Sequence, residues 1–290
     1  MRSKLKDELA NTNFVCTTAD VWSSSHRSFL GVTVHWVNLN LVRESAALAC
    51  RRFISSHTYD KIAAHLVDIH STFDLCDKIR LTVTDNGSNY AKAFAEYGIT
   101  VDEGVCDDTV EFADVDFVLA NPPVPPPITS NLEEELSDSF TLPLHHRCSS
   151  HTLSLVGSTD VEKIVAKNPI YGRIHRAAMA KCSAIWNKVS RSPKACEEYT
   201  SVMNSQSLCP CPTRWNSLYD SVCSLLKNNA KLKELCTATG ISQSKDVENK
   251  FLTEYVDCMQ PIADSLDRLQ GNKECFMGDL IPTLLRTRQT

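Results

Sequence analysis

Two aspartates close strand-like apolar runs: Asp20 ends Phe14-Val15-Cys16-Thr17-Thr18-Ala19-Asp20, and Asp85 ends Ile79-Arg80-Leu81-Thr82-Val83-Thr84-Asp85. An acid at the end of a β-strand is carried to the rim of a sheet, where open α/β folds place their sites. Two such carboxylates side by side suit Mg2+, which accepts carboxylate oxygen and keeps several waters. Two divalent ions about 3.5–4 Å apart can activate the attacking oxygen and stabilise the leaving one in phosphodiester cleavage. A simpler role is also open to both residues. Asp85 begins Asp85-Asn86-Gly87, a turn sequence, and either acid can cap the turn that follows its strand.

A second cluster is Leu144-His145-His146-Arg147-Cys148-Ser149-Ser150-His151. Cys148 and His151, spaced Cys-x-x-His, could supply two zinc ligands, but zinc needs two more. Cys209 and Cys211 in Cys-Pro-Cys-Pro are more tightly spaced than the usual metal pair and distant in sequence, so no structural zinc is expected. The alternative puts Cys148 at a strand end and His151 on a polar rim. The third cluster, Pro212-Thr213-Arg214-Trp215-Asn216-Ser217, opens an amphipathic helix with Thr213 as its cap. Arg214 at a helix start can meet phosphate while Trp215 stacks on an unpaired base, or Trp215 can simply begin the core face. The chain has no Gly-x-Ser-x-Gly elbow and no Gly-x-x-x-x-Gly-Lys loop, which ranks hydrolases with local nucleophile signatures last.

The elements that must position these residues follow from periodicity. Residues 28–37 and 41–53, split by Asn38-Leu39-Asn40, read as a hairpin after the first strand, giving three antiparallel strands. Ser56 or Thr58 can cap a helix bearing Ile62, Leu66, Ile69 and Phe73 on one face. That helix is a crossover, so the strand ending at Asp85 runs parallel to the one ending at Asp20. If the two strands pair, both acids lie at the same end. A short strand near 142–148 leads into a helix from about His151, and helical spacing continues to the end. Trp215, Leu218, Tyr219, Val222, Leu225 and Leu226 form one face; Leu252, Tyr255, Val256, Met259, Ile262, Ala263 and Leu266 form another.

The 290 residues carry a net charge of −5, distributed unevenly. Residues 101–144 hold eleven Asp or Glu and no Lys or Arg, while the rest of the chain has 30 basic against 24 acidic residues. This mildly basic remainder permits phosphate contacts without establishing them. The acidic stretch includes Pro122-Pro123-Val124-Pro125-Pro126-Pro127 and is expected to be a disordered insertion. No run approaches the eighteen or so apolar residues of a membrane span, and the polar start lacks a signal sequence, so an intracellular protein without a membrane partner is expected. The thirteen cysteines are scattered, many within apolar patterns such as those around Cys16, Cys50 and Cys223, and are expected to be reduced, mostly buried thiols.

Taken in order, four motifs resemble the hAT superfamily of DNA transposases and the zinc finger BED domain-containing proteins derived from it. They are Thr18-Ala19-Asp20-Val21-Trp22-Ser23, Thr84-Asp85-Asn86-Gly87-Ser88-Asn89, Arg147-Cys148-Ser149-Ser150-His151-Thr152-Leu153-Ser154-Leu155 and Pro212-Thr213-Arg214-Trp215-Asn216-Ser217. The resemblance implies an α/β, ribonuclease-H-like mixed sheet interrupted by a large all-helical insertion domain. Residues 1–100 would be the first part of the core, 101–143 the acidic insertion, 144–157 the last core strand with the Cys-x-x-His motif, and 158–290 the helical domain.

By the same resemblance, Asp20 and Asp85 match the first two catalytic and metal-binding acids, with Mg2+ or Mn2+ as cofactor. Cys148 and His151 match a motif near the active site, and Arg214 and Trp215 a pair that handles transposon ends. DNA, with further protein partners, is the implied partner, and the nucleus the implied location. The family's third acid, a glutamate on the last core helix, has no counterpart that can be assigned before Thr290, nor do the BED finger and the dimerisation region. The expectation is a truncated transposase-derived catalytic region, inactive as it stands and marginally stable, because the helix that covers one sheet face is not represented. The alternative is a domesticated, non-enzymatic DNA-binding or transcription-regulating protein.

Overall fold

Alternation of buried and exposed residues along three N-terminal strands organises the first unit. β1 (Val15–Ser24), β2 (Arg27–Val37) and β3 (Arg43–Phe53) form an antiparallel meander, and β4 (Ile79–Thr84) pairs parallel with β1. A short β5 (His145–Arg147) completes a five-stranded mixed sheet in the order β3-β2-β1-β4-β5. The computed structural model describes residues 2–54, 56–99, 140–211, 216–271 and 275–289, in two compact units, Met1–His146 and Arg147–Thr290. The expected disordered insertion falls almost wholly on 101–139 and lies outside the described residues.

The β1–β2 turn places both Ser25 and His26 at positive φ, the backbone that matches the twist of a two-residue hairpin. In the β2–β3 turn the Asn38 side chain accepts from the backbone N–H groups of Asn40 and Val42, at 2.9 and 3.0 Å. α2 (Tyr59–Thr72) is the crossover, and it buries Ile62, Leu66 and Ile69, with Phe73 following at its end. α1 (Arg2–Ala10) and α3 (Ser88–Tyr97) complete this unit's helices among the described residues. Val15, Thr17 and Ala19 of β1 share the buried face with Leu30, Val32 and Val34 of β2, packed with α2 and α3 residues in one core.

The sheet's other face differs from expectation in one respect. Cys16 and Cys50 are exposed, because strand alternation turns them away from the face buried against the helices. Among the described cysteines, all free, only Cys182 and Cys236 are buried. The same face carries Thr18, Asp20 and Trp22 of β1 and Phe29, Gly31, Thr33 and His35 of β2, paired across the ladder. The Thr18 and Thr33 hydroxyls bond to each other, and Thr33 also meets His35 Nε2 at 3.0 Å.

The second unit is helical throughout its described elements. α4 (Ser149–Leu155) passes through a π turn (Val156–Asp160) into α5 (Val161–Lys167). α6 (Pro169–Arg191), α7 (Pro193–Met203), α8 (Ser217–Leu226), α9 (Asn229–Thr239), α10 (Asp246–Leu269) and α11 (Leu280–Gln289) follow. The strand expected at 142–148 is shorter, leaving Leu142 as an isolated bridge to Gly98, and α4 starts two residues before His151. The core joins Cys182, Ile185 and Trp186 of α6 to Tyr199, Val222, Leu225, Leu235 and Leu252. On α8 the buried face is Ser217, Ser221, Val222 and Leu225, so Leu218 is exposed instead of lining it. Lys181 and the buried Glu248 form an ion pair between α6 and α10. None of the described helices is long and apolar enough to cross a membrane.

Candidate active site

The parallel ladder of β1 and β4 fixes where the acids stand. Its last pairs are Thr18 with Val83 and Ala19 with Thr84, so Asp20 and Asp85 occupy the next position on the two strands. They lie at the same end of neighbouring strands at the centre of the sheet. Asp20 is exposed and Asp85 half-buried.

Asp85 also makes the turn that its sequence suggests. Its Oδ1 accepts from the Gly87 N–H at 2.9 Å, and Gly87 precedes the first residue of α3. A Cβ on Gly87 would lie 2.9 Å from that oxygen, so the close approach of this turn depends on glycine. The turn uses one oxygen of the carboxylate. Beneath it, the Thr84 hydroxyl donates to the Asp85 carbonyl at 2.9 Å and lies 2.8 Å from His145 Nε2. A hydroxyl has one proton to give, which assigns the Nε2 proton to His145 as donor to Thr84. The imidazole stacks on Phe94 of α3, with centroids 4.3 Å apart and planes at 8°, so β4, β5 and α3 are tied together below the acids.

Tyr90 has no assigned role in the sequence reading, but the fold brings it to the pair. Its phenol is held protonated, well above the ordinary range, by burial first and then by the charges of Asp20 and Asp85. The side chain is 3% exposed, and its hydroxyl has no hydrogen-bond partner. An orphaned buried donor near two carboxylates fits a site completed by a bound cation with its waters. Asp20 and Asp85 are the residues that would hold it. Among the described residues, no group of three or more His, Cys, Asp or Glu side chains is arranged to hold a metal.

Trp22, which the sequence offers only as part of the motif around Asp20, also stands beside that acid. It lies two positions beyond Asp20 on the same strand face, stacked on Phe29 with centroids 5.8 Å apart, and is 40% exposed. Its ring lies across Gly31, the cross-strand partner of Asp20. A bulky residue after the acid in a strand pattern, opposite a glycine in the next strand, was the available signal.

The remaining predicted residues fall elsewhere. Cys148 is the N-cap of α4 and His151 lies in its first turn, both half-buried in the second unit; three residues apart, they share one helix face. The Cys148 carbonyl accepts from the Thr152 N–H at 3.0 Å. Cys209 lies 3.7 Å from the Trp186 carbonyl. Arg214 and Trp215 lie outside the described residues, as does the proposed cap Thr213. The next two residues of that motif are structural. Asn216 is buried and donates to the Ala263 carbonyl and to Asp267 at 2.8 and 2.7 Å, anchoring α8 to α10, and the Ser217 hydroxyl receives the Cys211 N–H.

Residues 18–101 match a family model described as the ZBED1 RNase-like domain. The match begins within β1, ends just after α3, and so contains both acids, Tyr90 and Trp22. No curated protein matches the chain. The α/β fold with its five-stranded mixed sheet fits an RNase-like domain, and the match is consistent with a transposase-derived protein.

Proposed function

We propose that this chain is a hAT transposase-like catalytic region, derived from a DNA transposase, which uses Asp20 and Asp85 to hold Mg2+ or Mn2+ beside DNA phosphate. The observation that carries the reading is the register of β1 against β4, which puts the two acids side by side at the same end of two neighbouring strands. The match of residues 18–101 to an RNase-like domain supports the lineage. In such a site the cation supplies charge stabilisation at a phosphodiester and activation of water or a DNA hydroxyl. The chain's own residues hold it, through two carboxylates, one of which is also locked by its turn.

In this reading the chain binds DNA, and strand cleavage requires a third acid beside Asp20 and Asp85. The helical second unit is the insertion domain, Cys148 and His151 correspond to the family's Cys-x-x-His motif, and Arg214 with Trp215 contacts the DNA end. The protein acts in the nucleus.

The test is DNA binding and nicking by the purified chain with Mg2+ or Mn2+. DNA binding that weakens steeply with salt and persists in Asp20→Asn and Asp85→Asn is expected, because phosphate contacts carry it. Metal-dependent nicking that Asp20→Asn abolishes would overturn the inactive reading, and failure to bind DNA at low salt would overturn the DNA-processing one. A non-enzymatic, transcription-regulating role is the second reading.

A further inference from the structure

Tyr90 stands in the first turn of α3, 3% exposed, with a hydroxyl that finds no hydrogen-bond partner. Leaving such a group unmet costs stability, and phenylalanine would fill the same space without that cost. The packing of the ring therefore does not account for the hydroxyl. Its surroundings suggest what does.

Gly87 leaves a gap in which Asp85 Oδ1 and Tyr90 Cδ2 approach the same point, 2.9 and 3.6 Å from where a Cβ would stand. The ring edge is thus packed against the turn that holds Asp85. The hydroxyl lies within the electrostatic reach of both Asp85 and Asp20. A phenol in that position is a proton donor near two groups that accept. Donors just outside a metal's ligands orient waters and carboxylates and tune affinity.

We propose that Tyr90 is a positioning residue for the divalent cation held by Asp20 and Asp85, its hydroxyl donating to a water or carboxylate oxygen around the ion. This rests on the reading of the acid pair as a cation site and adds a third, uncharged member to it. It also accounts for an unmet hydroxyl in a well-packed core: its acceptor arrives with the ion.

The test is Mn2+ titration of the full chain by calorimetry, with Tyr90→Phe, Asp20→Asn and Asp85→Asn beside the unaltered protein, and thermal melting of each without metal. Binding lost in both acid variants and weakened about 10- to 100-fold in Tyr90→Phe is expected. Tyr90→Phe without metal should melt no lower than the unaltered chain, because an unsatisfied group has been removed. In the unaltered chain, Mn2+ should also shift the tyrosine absorption band to longer wavelength as the hydroxyl gains an acceptor. That measurement holds even if Tyr90→Phe folds poorly. Acid-dependent binding with unchanged affinity in a folded Tyr90→Phe, or with no tyrosine shift, overturns the role of Tyr90 alone. Absence of acid-dependent binding overturns the cation site and this inference together.

Discussion

The indole of Trp22 lies so close across Gly31 that a methyl group on that glycine would stand 2.7 Å from ring carbon Cζ3. The ring is also stacked on Phe29, so making room for that methyl group disturbs a second contact. Gly31→Ala should therefore cost about 1–3 kcal/mol in chemical denaturation, the usual penalty of overpacking. Gly31→Ala combined with Trp22→Ala should cost less than the sum of the two, since one clash is removed by the other change.

Asp85 has two jobs that substitution can separate. Asn at this position keeps an oxygen that accepts from the Gly87 N–H, whereas Ala loses it. Asp85→Asn should fold with nearly the stability of the unaltered chain while losing cation binding. Asp85→Ala should lose about 1 kcal/mol more in denaturant titrations, the typical net worth of one such hydrogen bond.

His70 makes the first unit sensitive to acid. It is buried in α2, its Nε2 has no partner, and burial lowers its pKa to about 4 from an ordinary value of 6.5. Below pH 6.5 the unfolded chain takes up a proton that the folded chain refuses, so stability falls as pH drops from 6.5 toward 4. The loss amounts to about 3 kcal/mol across that window. His70→Leu should flatten this part of the pH–stability profile, measured by melting at a series of pH values.

Glu248 should govern a lower pH range in the second unit. Burial acts to raise its pKa, but the Lys181 hydrogen bond, the Lys245 N–H and the two ammonium charges outweigh this and lower it. A carboxyl depressed in the fold adds stability above its unfolded pKa, which is lost as pH falls through the folded value. Lys181→Met, which leaves the buried carboxylate without its ammonium partner, should cost about 3–5 kcal/mol at neutral pH. Replacing both partners by apolar residues should recover much of that loss in the same denaturation assay.

Much of the first unit was legible because its signals are local. The alternation through Val15, Thr17 and Ala19 marked a strand, Asn38-Leu39-Asn40 marked the hairpin, and the spacing of Ile62, Leu66 and Ile69 marked the crossover helix. From a crossover follows a parallel pair, and from that the shared end of Asp20 and Asp85. Register itself is a tertiary fact, and only the ladder supplies it. Tyr90 was not legible, because its meaning depends on where α3 starts and on how closely Gly87 lets the ring approach Asp85. Asn216 was read as part of a nucleic-acid motif, yet its amide spans 47 residues to reach the Ala263 carbonyl, a partner that no local pattern shows. Leu218 followed helical spacing but faces solvent, since Ser217 and Ser221 occupy the close-packed side of α8.

The outward-facing thiols of Cys16 and Cys50 make that side of the sheet chemically addressable once the other exposed cysteines among the described residues, Cys76, Cys196, Cys211 and Cys258, are replaced by serine. Cys16 sits on the acid-bearing strand, and Cys50 pairs with Gly31, the residue beneath the Trp22 indole. A fluorophore or a spin label attached at either one reports directly on that surface. Slowed labelling in the presence of DNA or a protein partner would map which of them comes to rest against it, strand by strand.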